Sequence, residues 1–251
     1  MLIPQKRAQG IVVDLSLVIA CYNDGSYLEN SICEIERVLK QIRYSYELIL
    51  IDDCSPDGSA VQVERAAAGR QHARLVLHSQ NVGRGGTVTE GMKLARGTYV
   101  GFLDIDLEVH CRYIPSMLLA LENGHDGATA YRVYNIGWNL DTYFRNILSV
   151  SYRQLVRRIL KLPYRDTETG FKFFQREKIL PILDKLHSPG WFWDTEIMAR
   201  CHYHGLSIKE IPALFIRRWD KPSTVQPLRD SLIYVRELSA FRKQLRKEGL
   251  L

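Results

Sequence analysis

Carboxylates punctuate the first half of this chain, each group directly after a short apolar run. Asp24 closes Cys21-Tyr22-Asn23-Asp24, Asp52 and Asp53 open Asp52-Asp53-Cys54-Ser55-Pro56-Asp57-Gly58, and Asp104 and Asp106 flank Ile105. Ser55, Pro56, Asp57 and Gly58 are ordinary turn formers and helix starters. Turn chemistry does not explain two separate acidic clusters at neighbouring positions, where like charges repel unless something positive sits between them. Strand alternation puts the Asp104 and Asp106 side chains on one side. Such a pair can hold a hard divalent cation, Mg²⁺ or Mn²⁺, with positions left open for substrate phosphates, and Glu108, two residues on, can complete the shell. Between the acidic groups lies Asn81-Val82-Gly83-Arg84-Gly85-Gly86. Such a loop can set backbone amides around Gly83, and the Arg84 guanidinium, against a diphosphate at the start of the next helix. Val88 stands where the third glycine of a G-x-G-x-x-G fingerprint would fall, which disfavours a nicotinamide dinucleotide site. The pattern suits a substrate that is itself a nucleotide diphosphate.

The elements that must position these residues are legible as periodicity. Segments 15–20 (LSLVIA), 47–51 (ELILI), 74–78 (RLVLH) and 98–103 (TYVGFL) are the short apolar runs of strands covered on both faces. Helical spacing occupies 27–42, 58–68 and 85–95 between them. The alternation predicts an α/β fold, a right-handed and mostly parallel sheet flanked by helices, with the ligand crevice beyond the carboxyl ends of the strands. Past residue 125 the alternation loosens. A helical stretch is expected over 141–160, a loop over 165–170, a strand over 171–174, a helix over 194–204 and a strand over 206–215. From 227 to 251, apolar residues including Leu238, Phe241 and Leu245 recur at helical spacing among Arg229, Arg236, Arg242, Lys243, Arg246 and Lys247. The expected organisation is one catalytic domain over 1–225 and a basic amphipathic helical extension over 226–251. That helix can lie on a membrane interface or dock on its own domain.

With 251 residues, 46% hydrophobic and 25% charged, the chain can bury a core without disulfide or metal staples, which excludes disorder and fibrous repeats. A net charge of +6 favours anionic partners such as nucleotides, phosphates or an acidic membrane face. Nucleic acid is disfavoured, because no long basic run precedes Arg229 and the expected crevice is acidic. Five scattered cysteines without C-x-x-C spacing fit a reducing cytosol rather than a zinc or redox site. There is neither a signal-peptide core at the amino terminus nor an apolar run long enough to span a membrane, so the expected location is cytoplasmic, soluble or peripheral on the membrane face.

LVIACYND, LILIDDCSPDGS, the 81–86 loop, Asp104-Ile105-Asp106 and Asp166-Thr167-Glu168-Thr169-Gly170-Phe171-Lys172 occur in an order that resembles family 2 glycosyltransferases of the GT-A fold. The resemblance runs over about residues 14–225 and is strongest to the polyprenyl-phosphate (dolichyl-phosphate) mannosyl- and glucosyltransferases. It implies that Tyr22, Asp24 and Asp53, with Asp52 beside them, contact the nucleotide, and that Asp104, Asp106 and Glu108 hold the metal on its diphosphate. Asp24 stands where many relatives carry Glu, and Glu108 where Gln is common. The implied reaction is inverting transfer of a hexose from UDP-glucose or GDP-mannose, with UDP-GlcNAc also open and DTETGFKFF leaning toward the glucosyl branch. A lipid monophosphate acceptor is already nucleophilic and needs cations to guide it. Arg132, Arg145, Arg217, Arg218 and Lys221 are the candidates, Arg132 and Arg145 lying where the resemblance places acceptor-phosphate arginines. A hydroxyl acceptor on a soluble glycan needs a base instead, and Asp194 or Glu196, with aromatic neighbours, is the choice. A catalytically silent sugar-nucleotide-binding protein is a further reading. Several relatives carry spanning helices after this domain, so membrane contact here is expected to be peripheral, or supplied by a membrane-protein partner or a second copy.

Overall fold

The computed structural model describes residues 13–25, 27–134, 152–218 and 227–251, and the side chains of all of these except 227–232. β1 (Leu15–Cys21), β2 (Tyr46–Asp52), β3 (Ala73–Leu77) and β4 (Tyr99–Leu103) alternate with α1 (Leu28–Leu39), α2 (Ser59–Ala67) and α3 (Arg84–Leu94). A 3-10 turn and α4 (Ile114–Glu122) lead to β5 (Gly127–Tyr134); the described part of α5 covers 152–159. β6 (Phe171–Gln175), α6 (Arg176–Leu183), α7 (Trp193–Tyr203), β7 (Ile208–Phe215) and α8 (Pro227–Lys247) complete the chain.

The seven strands form one sheet in the order β3-β2-β1-β4-β6-β5-β7. β1 pairs in parallel with β2 and β4, β2 with β3, and β5 with β7, whereas β6 runs antiparallel to both β4 and β5. A period of two divides each central strand between two cores. Leu15, Leu17 and Ile19 of β1, Leu48 and Leu50 of β2, and Phe171 and Phe173 of β6 face the layer built by α1, α2 and α4. Val18, Ile49, Ile51, Val100, Phe102 and Phe174 face the layer built by α3, α5, α6, α7 and α8. Burial on both faces is why the strands read as continuous apolar runs.

The four early strands and three early helices lie where the periodicity predicts them. β5 carries no such signal, because its sequence is GATAYRVY. Its small residues make room for β6: a side chain added at Gly127 would lie 2.6 Å from both Phe174 and Ile208. α4 and α6 also escape the sequence pattern. α4 is apolar around most of its girth, and α6 contains Pro181. The expected helix over 141–160 falls mostly outside the described residues. α8 buries Leu238, Phe241 and Leu245 in the second core, where Phe241 packs edge-on against Phe192 at 5.6 Å. Docking on its own domain thus accounts for the apolar stripe of that helix over 238–245. Among the described residues no helix is long and apolar enough to cross a membrane.

Candidate active site

Parallel pairing brings the carboxyl ends of β1, β2 and β4 to one edge, with Cys21 opposite Asp52 in register. The loops leaving these strands hold three of the four non-glycine residues with left-handed backbone among the described residues: Asn23 (φ 57°), Cys54 (φ 58°) and Leu107 (φ 54°). Backbone held in this region costs free energy and concentrates where a site over-determines it.

Asp24, Asp52 and Asp53 are all buried at this edge, and backbone amides, hydroxyls and the His78 ring are among the groups that hold them. Asp24 accepts from the Tyr22 amide at 3.0 Å and from the Tyr27 hydroxyl. Burial and the Asp24 carboxylate together push the Tyr27 phenol far above its ordinary range. Asp52 accepts the Ser55 amide at 3.0 Å and its hydroxyl at 2.6 Å. Asp53 accepts His78 Nδ1 at 2.8 Å and the amides of Val82 and Gly83, each at 2.9 Å. Tyr22 is half exposed at the same edge, with its ring open to a flat ligand.

The 81–86 loop departs from the expected diphosphate cradle. Its Val82 and Gly83 amides serve Asp53, and the Gly85 and Gly86 amides donate to the Pro189 carbonyl at 2.8 and 3.2 Å. A side chain at Gly83 (φ 83°) would meet that carbonyl at 2.5 Å, so the glycine is there for chain packing. The guanidinium of Arg84 is what the loop offers to the edge. Its Nε and Nη2 donate to one oxygen of Asp104, Oδ1, at 2.9 and 2.6 Å, and its Nη1 donates to Asp194 Oδ2 at 2.5 Å. Phe102 and Trp191 flank it at 5.5 and 5.2 Å. Burial works against its charge, and Asp104 and Asp194 more than offset that, holding it above the ordinary arginine range.

Asp194 does not stand open as a base. It is 2% exposed, and its second oxygen accepts from Lys172 Nζ at 2.6 Å. Burial lowers the Lys172 ammonium below the usual lysine range despite Asp194. Lys172 was missed from sequence, although its signal is there: a lysine within Phe171-Lys172-Phe173-Phe174 is a charge in a strand covered on both faces. Glu196 is likewise spent, on the His187 and Ser188 amides and on Arg200 Nε at 3.0 Å.

Asp104 and Asp106 leave β4 as anticipated, Asp104 with 41% of its side chain exposed. Glu108 does not join them: its Oε1 accepts the Arg218 amide at 3.1 Å, and its carbonyl accepts that of Ile216 at 2.9 Å. Among the described residues no three His, Cys, Asp or Glu side chains gather as a ligand set. The two aspartates still fit a hard cation, since Mg²⁺ is held by one or two carboxylates plus substrate phosphates and water, and among the described residues none donates a hydrogen bond to Asp104 Oδ2.

Of the acceptor arginines, Arg132 is gripped by Asp166, Nε at 2.7 Å and Nη2 at 3.0 Å, with Glu168 at 3.2 Å from Nη2. Arg153, another residue the sequence did not single out, lies 3.6 Å from Asp166. Arg132 overcomes the burial of Asp166 and holds its carboxyl well below the usual range, whereas burial pushes Glu168 up in spite of Arg132. Arg218 stacks over Tyr27 at 4.7 Å, next to Asp24, and Arg217 is half-buried beside it. Arg145 and Lys221 lie outside the described residues.

Residues 16–181 match the model of the family described as Glycosyl transferase family 2. Among curated proteins the chain is similar to glycosyltransferase AglD of Haloferax volcanii, 29% identical over 208 residues, which are 80% of this chain and 32% of that protein. It is also similar to the dolichyl-phosphate beta-glucosyltransferases of Dictyostelium discoideum (28% over 211 residues; 78% and 64%) and Saccharomyces cerevisiae (27% over 218 residues; 79% and 65%). The chain therefore spans from a third to just under two thirds of the length of these relatives. Its fold resembles that of glucosyl-3-phosphoglycerate synthase from Mycobacterium tuberculosis, solved with Mn²⁺, UDP and glucosyl-3-phosphoglycerate. That TM-score is 0.66 at 19% identity, over 94% of this chain and 80% of that one. The same protein with Mg²⁺ and UDP gives 0.66 at 17% identity.

Proposed function

The chain belongs to glycosyltransferase family 2, and from that premise we propose that it moves a hexose, with inversion, from a nucleotide sugar to a polyprenyl phosphate at a membrane surface. The observation that carries the acceptor choice is the closure of Asp194 and Glu196 in buried ion pairs. A sugar hydroxyl must lose its proton to a base, whereas a phosphate oxyanion is already nucleophilic. The resemblance to two dolichyl-phosphate beta-glucosyltransferases supports the same acceptor and favours glucose over mannose as the sugar.

In this reading Tyr22 offers its exposed ring to the base, and Asp24, Asp52 and Asp53 fix the loops around the nucleotide. Asp104 and Asp106 hold Mg²⁺ or Mn²⁺, which when bound supplies positive charge to the departing diphosphate. Arg84 adds a second cation on the same side. Arg217 and Arg218 draw the acceptor phosphate toward the anomeric carbon, while Arg132, gripped by Asp166 and Glu168, holds the neighbouring loop; Arg145 is assigned to the same phosphate by the resemblance alone. In-line attack then displaces the nucleoside diphosphate and inverts the centre.

The test supplies radiolabelled UDP-glucose or GDP-mannose with Mn²⁺ or Mg²⁺, offering a short polyprenyl phosphate and a soluble glycan in parallel. Label should pass to the organic phase, with UDP-glucose the better donor. Label confined to the aqueous phase would overturn the lipid acceptor.

A further inference from the structure

The charges around Arg84 form an alternating file. Lys172, fully buried, bonds Asp194; Asp194 bonds Arg84 Nη1; and Arg84 closes with two donors on Asp104 Oδ1. The inner end is fixed, because Lys172 also donates to the Thr169 carbonyl and Trp193 Nε1 bonds Thr89 Oγ1 at 2.7 Å, tying α7 to α3. The outer end is not enclosed, since Asp104 is the one member of the file with substantial exposure. Arg84 thus occupies, with a guanidinium, one oxygen of a carboxylate that a divalent cation needs, Oδ1, and sets its charge beside the other.

We propose that Arg84 is a competitive guard on Asp104, so that divalent cation and nucleotide diphosphate bind this protein as coupled ligands rather than independently. This rests on the reading of Asp104 and Asp106 as the cation's carboxylates. A cation arriving alone has only Oδ2, beside an unreleased positive charge, unless it draws Oδ1 away from two charge-assisted hydrogen bonds. A diphosphate changes that balance. It takes the Nε and Nη2 face of Arg84, while Nη1 stays pivoted on Asp194, and Asp104 is released to the cation. Whatever one ligand contributes to the affinity of the other is returned in equal measure.

Substituting Arg84→Gln removes the competing charge and leaves Asp194 paired with Lys172, so no buried carboxylate is orphaned. Mn²⁺ binding to the full-length protein is followed by electron paramagnetic resonance without nucleotide. UDP or GDP binding is followed by calorimetry without metal. The two affinities should move in opposite directions: Mn²⁺ about threefold or more tighter, and nucleoside diphosphate about fivefold or more weaker. Asp104→Asn identifies the Mn²⁺ signal by abolishing it. Unchanged or weaker Mn²⁺ binding in Arg84→Gln overturns the guard, since simple damage to the site lowers both affinities. Failure of the unaltered protein to bind either nucleotide with Mn²⁺ overturns the transferase reading itself, and the guard with it.

Discussion

The two halves of the sheet edge satisfy their carboxylates in different ways. On the β1–β2 side, Asp24, Asp52 and Asp53 are satisfied by amides, hydroxyls and one imidazole, several of them from residues two or three positions away, as with Tyr22 and Ser55. On the β4–β6 side, Asp104, Asp166 and Asp194 are held by cations from distant parts of the chain, Arg84 reaching Asp194 across 110 residues. Local bonds set the shape of a loop. Long-range ion pairs join distant segments of the chain, and a charged ligand at the edge competes for their members.

The contrast can be broken at several points. Lys172→Met should have the largest effect, about 3–5 kcal/mol in urea unfolding, because it strips the buried Asp194 of a partner; adding Asp194→Asn should recover part of the loss. Asp106→Asn should leave the urea midpoint in place while lowering turnover at saturating Mn²⁺ by about 100-fold or more, which a radiolabel assay and circular dichroism can check together. Asp166→Asn tests the ion-paired side by pH. A carboxylate held below its ordinary value contributes stability that is complete above about pH 4 and fades as pH falls through the folded value. The variant should be about 3 kcal/mol less stable at pH 7 and show a flatter acid branch between about pH 4 and about pH 2. Ser55→Ala, on the other side, removes one of two Ser55 donors from Asp52 and should cost only about 1.5 kcal/mol in the same urea measurement. A Ser55 effect as large as that of Lys172 would erase the distinction.

The same division explains what could be read from the sequence. Strand runs such as LSLVIA and turn chemistry such as Ser-Pro-Asp-Gly are local, so the parallel core and the three acidic loops were legible as patterns. Partnerships that close across the fold were not. Nothing near Asp194 announces Lys172, and nothing near Arg132 announces that Asp166 holds it. The expectations about single charged residues suffered most for this reason. Asp194 as a base, Glu108 as a third metal ligand and the glycine loop as an anion cradle each assumed an open group. The fold supplies the partner instead: Lys172 and Arg84, the Arg218 amide, and Asp53 with the Pro189 carbonyl. β5 was obscured by a related effect, its small residues being dictated by the phenylalanines of its neighbour.

The backward course of β6 carries an evolutionary consequence. A strand set against its neighbours delivers its entrance, rather than its exit, to the rim where β4 ends, and the Asp104 amide bonds the Gly170 carbonyl there at 2.9 Å. Variation in the six residues ahead of Phe171 therefore reshapes the rim directly, while a change where Gln175 passes into α6 falls at the far end of the strand. Under the proposed reading, acceptor preference diversifies through the first connection without any change to the β1 and β2 loops.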